Sequence, residues 1–141
     1  MYFASYKQAL DKTLNSFKQV LPIIIGVIML VGLMISLIPK SFYSRIFIGN
    51  QILDPFFGAV FGGVAAGNPM TSYIIGGELL KQGVSLIAVT SFIVAWVTVG
   101  VVQLPAEIFM LGRKFAILRN ILSFFLAIVV ALITVAILSI I

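Results

Sequence analysis

Residues 1–19 carry apolar side chains at helical spacing. These residues lie three or four positions apart and are Phe3, Tyr6, Leu10, Leu14 and Phe17. The spacing puts them on one face of a helix, and the lysines of the same stretch fall mostly on the other face. The pattern predicts an amphipathic helix that lies at a membrane interface.

Two uniform apolar runs follow the pattern of membrane-spanning helices. They are Leu21–Ile38 and Ile121–Ile141, and about 20 residues at about 1.5 Å each are enough to cross a hydrocarbon core of about 30 Å. After the first run, Lys40–Asn50 mixes aromatic and basic residues. That mixture suits the headgroup layer and predicts a short surface helix.

Two further apolar stretches are interrupted by proline. Leu53–Gln82 holds six glycines around Gly67-Asn68-Pro69, and Val84–Leu104 leads into Pro105 and continues to Leu111. Proline lacks a backbone N–H and disfavours helical geometry at the residue before it. Both stretches are therefore predicted to be broken helices, and broken backbone at membrane depth is tolerated only inside protein or beside a cavity.

The elements together predict an all-α integral membrane protein with about four membrane-embedded segments. We expect two of these segments to be broken by Pro and Gly, and an N-terminal interfacial helix to precede them. The whole of residues 1–141 is interpreted as a single membrane domain. Its divisions are the interfacial helix at 1–19, the broken core at 20–120 and a last transmembrane helix at 121–141.

Composition supports a lipid environment and removes several function classes. Of the 141 residues 62% are hydrophobic and 9% are charged, and the mean hydropathy is +1.23. A soluble domain of this size could not bury so much apolar surface. The chain has no Cys and no His, which removes thiol nucleophiles, the commonest general base and the commonest metal ligands. We expect no enzyme activity, no cofactor and no metal.

The formal charge of +5 is expected to serve orientation in the bilayer and not nucleic-acid binding, because the basic residues flank apolar runs. If Leu53–Gln82 crosses the membrane once, the nine basic residues divide four against five. If the stretch enters and returns, they divide six against three, and the larger group lies on the N-terminal side. The second path predicts a cytoplasmic N-terminus.

The polar backbone breaks are the candidate solute site. Glycine permits close approach, proline frees upstream carbonyls, and the next half-helix presents unpaired N–H groups at its positive end. The candidate substrate-binding residues are Gly67, Asn68, Pro69, Thr71, Ser72, Gln103 and Pro105. The alternative is that the glycines only allow helices to pack closely, through Gly58-xxx-Gly62 and Gly63-xxx-Gly67.

Three of the four acidic residues have a predicted role. Glu107 lies inside an apolar stretch just after a break, so it is a candidate for proton or cation coupling, and the alternative is a cap of the half-helix that starts at Pro105. Asp54 is expected to cap the glycine-rich helix. Glu78 lies three residues before Lys81, which predicts an ion pair.

Several segments in this order resemble one half of the predicted permeases of the YraQ/ArsP type, also called the DUF318 permease family. They include the glycine-rich helix into Gly67-Asn68-Pro69, the run Leu79-Leu80-Lys81-Gln82-Gly83-Val84-Ser85, then Leu104-Pro105 and Gly112-Arg113-Lys114-Phe115-Ala116. The likeness covers roughly residues 20–120. Full-length members carry two such halves, and some are linked to export of trivalent organoarsenicals. Many place a cysteine near the first break, where Gly67 and Asn68 stand here.

The resemblance implies a multi-pass permease of the cell membrane that moves a small molecule or an ion. Because one half cannot enclose a pathway between two repeats, we expect a homodimer within the lipid bilayer. Inverted halves are a recurrent transporter plan, so copies in opposite orientations are favoured, with a parallel dimer as the alternative. The competing interpretation is a membrane assembly or accessory subunit that transports nothing.

Overall fold

The computed structural model of the chain describes residues 2–37, 42, 45–65 and 68–140. Across these residues the protein is α-helical and contains no strand, which confirms the predicted all-α class. The helices are α1 (Tyr2–Leu37), α2 (Leu53–Val64), α3 (Pro69–Lys81), α4 (Leu86–Thr98), α5 (Leu104–Leu111) and α6 (Arg113–Leu138). The chain divides into two compact units, residues 1–38 and residues 39–141.

Helix α1 forms the first unit and is continuous, with Pro22 in its interior. The predicted division into an interfacial helix ending at residue 19 and a span beginning at Leu21 is not marked by any break in the backbone. A change from polar to apolar side chains alters the surroundings that a helix prefers and not its backbone geometry, so the two predicted elements form one helix.

The start of the second unit, Lys40–Asn50, was predicted to be a surface helix. Most of Lys40–Ser44 lies outside the described residues. Phe42, Arg45 and Ile46 are helical, and irregular chain then leads towards α2.

Helices α2 and α4 run parallel to each other in very close contact. A Cβ built on Gly58 would collide with the carbonyl oxygen of Ala88, and one built on Gly62 would collide with that of Phe92. The buried Ala59 packs with Ala95 of α4 in the same way. The packing alternative for Gly58 and Gly62 is therefore confirmed, because only glycine lets these two backbones approach so closely.

Helix α3 runs in the opposite direction to α4. Its Gly76 lies against the side chains of Val89 and Ile93, and a short turn after Lys81 leads directly into α4. Gly83 makes this turn possible with a φ of +90°, a conformation that side chains disfavour. Since α2 is parallel to α4 and α3 is antiparallel to it, α2 and α3 form a hairpin that returns to the end where it began.

Helix α6 packs back along α4. Near the start of α6, Asn120 lies beside Gly100, just after α4 ends, and further along Ala127 packs with Ala95. The predicted last helix began at Ile121, whereas α6 begins at Arg113. The prediction placed the basic residues before Ile121 in a flank outside the helix. Basic side chains do not interrupt helical backbone geometry, so the helix includes them and starts at Arg113.

Among the residues that the structure describes, two helical segments are long and apolar enough to cross a membrane, with mean hydropathies of 1.6 for Gln8–Leu30 and 3.1 for Arg113–Leu138. Helices α2 and α4 are apolar but shorter. These segments suggest an association with membranes.

Candidate functional site

The first break lies between α2 and α3. Ala65 ends α2 in an extended conformation, and Asn68 precedes α3 in the same conformation. The side-chain Oδ1 of Asn68 accepts a hydrogen bond of 3.0 Å from the backbone N–H of Met70, as an N-cap residue does. Pro69 follows at the start of α3, where its missing N–H has no consequence. Gly67 lies outside the described residues.

The remaining polar candidates of the first break bond within their own turn. Ser72 is fully buried, and its Oγ donates to the carbonyl oxygen of Pro69 at 2.7 Å. The backbone N–H of the half-buried Thr71 donates to the carbonyl oxygen of Asn68 at 2.9 Å. Of the candidate residues here that the structure describes, Asn68 and Pro69 are therefore the exposed ones.

The second break lies between α4 and α5 and is held by Asn120 of α6. Asn120 accepts a hydrogen bond of 2.8 Å from the backbone N–H of Gly100 through its Oδ1. Its Nδ2 donates to Oε2 of Glu107 and to the carbonyl oxygen of Ala116, both at 3.0 Å. Asn120 therefore connects the loop after α4, helix α5 and its own helix.

Arg119 adds a charged contact at the same place. Its Nη1 lies 3.0 Å from Oε1 of Glu107, and its Nη2 donates to the carbonyl oxygen of Thr98 at 3.3 Å. The Glu107 side chain is 12% exposed and that of Arg119 is 38% exposed, so the pair is partly shielded from solvent. Two neighbouring residues of α6 thus hold both half-helices of the second break.

These contacts change the interpretation of Glu107. The cap alternative predicted that the Glu107 carboxylate accepts hydrogen bonds from N–H groups at the start of α5, but no side-chain cap bond is present there. The carboxylate instead bonds to α6 through Arg119 and Asn120. Only its place in the first turn of α5 favours the helix dipole. The coupling role stays a prediction.

The two breaks meet at a small pocket of about 30 Å³. Its lining consists of Ala65, Trp96, Val97, Val99, Gly100, Val102 and Gln103. Ala65 belongs to the first break and the residues from Val99 onwards to the second. Of the candidate site residues that the structure describes, Gln103 lines this pocket, whereas Asn68, Thr71, Ser72 and Pro105 do not.

Comparisons with protein-family profiles, curated proteins and solved structures found no match to the chain. The resemblance to the YraQ/ArsP-type permeases therefore stays a prediction.

Asp54 has a different structural role from the predicted one. It is fully buried, and its carboxylate accepts hydrogen bonds from the backbone N–H groups of Ile48 at 3.1 Å and Gly49 at 3.2 Å, and from Ser85 Oγ at 2.9 Å. The predicted cap of α2 by Asp54 is wrong, because Asn50 Oδ1 accepts from the N–H of Ile52 and of Leu53 instead. Asp54 joins the start of α2 to the start of α4 and so closes the hairpin.

The predicted ion pair between Glu78 and Lys81 is confirmed, with 3.0 Å between the Oε2 and Nζ atoms.

Sequence reasoning missed the contacts of Arg119 and Asn120, because both stand in a basic flank of an apolar run. A signal does exist in the sequence. The buried face of α6 consists of Ala116, Asn120, Ala127 and Ala131, and small residues at helical spacing mark a packed face.

Proposed function

We propose that the chain is a permease half that dimerises to form a solute pathway at its broken helices, in the manner of the YraQ/ArsP-type permeases that it resembles. The observation that carries this proposal is the meeting of the two breaks at one pocket, lined by Ala65 and Gly100. Transporters commonly bind solutes between discontinuous helices near the middle of the bilayer.

In this proposal four segments are embedded in the bilayer: α1, the α2–α3 hairpin, the broken α4–α5 segment, and α6. Helices α2 and α4 have 12 and 13 residues, so each extends about 18–20 Å from its start, where Asp54 bonds to Ser85, to the break at its end. Asn120 of α6 lies beside the second break, and the seven residues from there back to Arg113 add about 10 Å. These lengths match a hydrocarbon core of about 30 Å and put both breaks within it.

The exposed surface at the breaks supports pairing with a second copy. Tyr73 is 62% exposed and Val102 is 62% exposed, and Asn68 and Gln103 beside them are exposed polar residues. Irregular backbone with polar side chains is not stable against lipid tails. A second copy that covers this surface, with water or solute between the copies, removes that cost.

The returning path of the hairpin favours a parallel dimer. In this topology Lys7, Lys12, Lys18, Arg113 and Lys114 face the cytoplasm, and Lys40, Arg45 and Lys81 face the other side. Arg119 is paired with Glu107 at the second break and does not count towards either side. A division of five against three still sets one orientation for every copy. The opposed-copies prediction depended on a single crossing with balanced charges, so we now propose parallel copies.

Solute flux in liposomes tests the proposal. The purified chain is reconstituted, and uptake of glycerol, urea and methylarsenite is compared with that of protein-free liposomes. We expect faster uptake of at least one solute. We also expect Asn68→Leu to abolish this uptake, while Asn15→Leu on α1 leaves it unchanged. Rates equal to those of empty liposomes for every solute would contradict the proposal.

A non-transporting assembly or accessory subunit is the second candidate, and one observation favours it. The polar groups of Ser72 and Asn120 are already hydrogen-bonded within the chain, and the glycines of α2 serve packing. Such a subunit retains these contacts without any flux. Uptake that remains at the protein-free rate in a preparation that still inserts and dimerises supports this alternative.

A further inference from the structure

We infer that the pocket between the two breaks binds one monovalent inorganic cation, Na⁺ or K⁺, through backbone carbonyl oxygens at the ends of α2 and α4. The pocket has a volume of about 30 Å³, which is the space of about one or two water molecules and therefore suits a single small ion. As a coupling site it rests on the proposed permease function, whereas ion binding itself follows from the geometry of the helix ends.

The ends of two parallel helices meet at this pocket. Ala65 is the C-cap residue of α2 and Val99 is that of α4, and both line the pocket. A Cβ on Gly63 would lie 2.9 Å from the side chain of Val99, so the two helix ends are in direct contact. Both helices therefore direct their carbonyl ends to the same place.

These helix ends leave carbonyl oxygens without a partner in their own helix. Each C-cap N–H closes one hydrogen bond, to the carbonyl oxygen of Phe61 in α2 and of Ala95 in α4. The carbonyl groups that follow in each last turn have no N–H of the same helix to bond to. That of Thr98 accepts from Arg119 and is not counted as a ligand. Transporters coordinate monovalent cations with such helix ends and unwound carbonyls.

The wall of the pocket provides oxygen atoms although its side chains are mostly apolar. Most of the wall is polar, yet five of its seven residues are Ala, Val and Gly, so backbone groups and the two other side chains supply the polar atoms. The indole of Trp96 only donates, which leaves Gln103 to supply a side-chain oxygen. A Cβ on Gly100 would lie 3.1 Å from Oε1 of Gln103, so this oxygen lies beside the pocket wall at Gly100.

The electrostatics of the helix ends favour a single positive charge. A helix C-terminus carries about half a negative elementary charge, so two adjoining ends offset about one monovalent cation. The first residues of α3 and α5, Pro69 and Leu104, do not line the pocket. At the second break, Glu107 and Arg119 pair with each other at 3.0 Å and together add no net charge.

A multivalent metal fits this site less well than a monovalent cation. Among the residues that the structure describes, no group of three or more His, Cys, Asp or Glu side chains could hold a metal ion. Divalent cations prefer sites with carboxylate ligands, and no carboxylate lines the pocket. The ligand set therefore indicates Na⁺ or K⁺.

Binding of radioactive sodium and rubidium ions, the latter as a substitute for K⁺, tests the site without transport. The purified chain in detergent micelles is titrated at constant ionic strength. N-methylglucamine chloride is the replacement salt, because this large organic cation does not fit a pocket of about 30 Å³. We expect saturable binding of one ion per chain. Binding that is absent, or that rises linearly for both ions, would overturn the inference.

Matched variants test where the ion binds. Gln103→Leu removes the side-chain oxygen and should weaken binding about tenfold, the size expected for the loss of one polar contact to a charge. Gln51→Leu makes the same change at an exposed position before α2 and should leave binding unchanged. Gly100→Ala brings a methyl group to 3.1 Å from Oε1 of Gln103 and should also weaken binding, whereas Gly77→Ala adds a Cβ in open space. Equal effects within either pair would overturn the assignment to this pocket.

Flux measurements separate this inference from the proposed function. Uptake into liposomes that rises when N-methylglucamine outside is replaced by Na⁺ or K⁺ supports coupling, and uptake that does not respond in a chain that binds the ion contradicts the coupling role. Saturable binding without any flux supports the site and contradicts the permease. Flux without saturable ion binding supports a permease and overturns the ion site.

Discussion

The two helix breaks are stabilised in different ways. At the first break Asn68 and Ser72 bond to backbone groups two or three residues away in the sequence. At the second break Asn120 and Arg119 reach the backbone of Gly100 and Thr98 from about 20 residues away. One break is capped locally, and the other depends on a neighbouring helix.

This difference indicates which break can change shape independently. A locally capped helix end keeps its hydrogen bonds when it moves as a unit. The second break loses its bonds if α5 and α6 separate, because Glu107 and Gly100 are both bonded to α6. In the proposed permease, we therefore expect the α2–α3 hairpin to move and the α4–α6 contact to stay fixed.

The largest expected effect concerns the packing below the first break. Gly62→Ala introduces a Cβ against the carbonyl oxygen of Phe92, and forcing α2 away from α4 should lower the free energy of unfolding by about 3 kcal/mol. Titration with SDS in mixed micelles, followed by Trp96 fluorescence, measures this change. Gly77→Ala is the matched control, since no atom lies within 4 Å of a Cβ there. Equal stability of the two variants would contradict the close packing of α2 and α4.

The next effect concerns the long-range support of the second break. Asn120→Ala leaves the Gly100 N–H without its partner and removes a bond to Glu107. Because unsatisfied buried groups are costly, we expect a loss of about 2 kcal/mol in the same titration. Asn15→Ala on the exposed face of α1 is the control. A loss no larger than that of the control would refute the anchoring role of α6.

A smaller effect is expected from the ion pair. Glu107→Gln removes the charge that faces Arg119, and because Arg119 is 38% exposed, solvent screening limits the expected loss to about 1 kcal/mol. Glu78→Gln breaks the more exposed pair with Lys81 and should change stability less.

The pH profile of uptake tests the coupling prediction for Glu107 separately. A flatter profile in Glu107→Gln supports coupling, and an unchanged profile leaves Glu107 a structural role only.

The smallest effect is expected from the local cap of the first break. Asn68→Ala removes the acceptor for the Met70 N–H, and at this exposed position the expected loss is about 0.7 kcal/mol. Asn68→Ser retains an oxygen at the cap and should recover most of that loss. A cost for Asn68→Ala that equals or exceeds the cost for Asn120→Ala would reverse the comparison between the two breaks.

Local chemistry made part of this arrangement predictable from the sequence. Gly-Asn-Pro marks the first break because a cap and a first-turn proline need only adjacent residues, and Glu78 and Lys81 pair for the same reason. The bonds of Asp54 to Ser85 and of Asn120 to Gly100 could not be read in this way. These partners lie 31 and 20 residues away, and only the fold brings them together.

The returning path of the α2–α3 hairpin is the central claim, and cysteine labelling tests it most directly. The parent chain has no cysteine, so single variants Gln51→Cys, Gln82→Cys and Lys114→Cys each report one position. Intact cells are treated with a membrane-impermeant maleimide, and the reaction is repeated after the membrane is opened. A returning hairpin predicts that positions 51 and 82 react from the same side and position 114 from the opposite side. Reaction of positions 51 and 82 from opposite sides would contradict it, because the segment would then cross the membrane once.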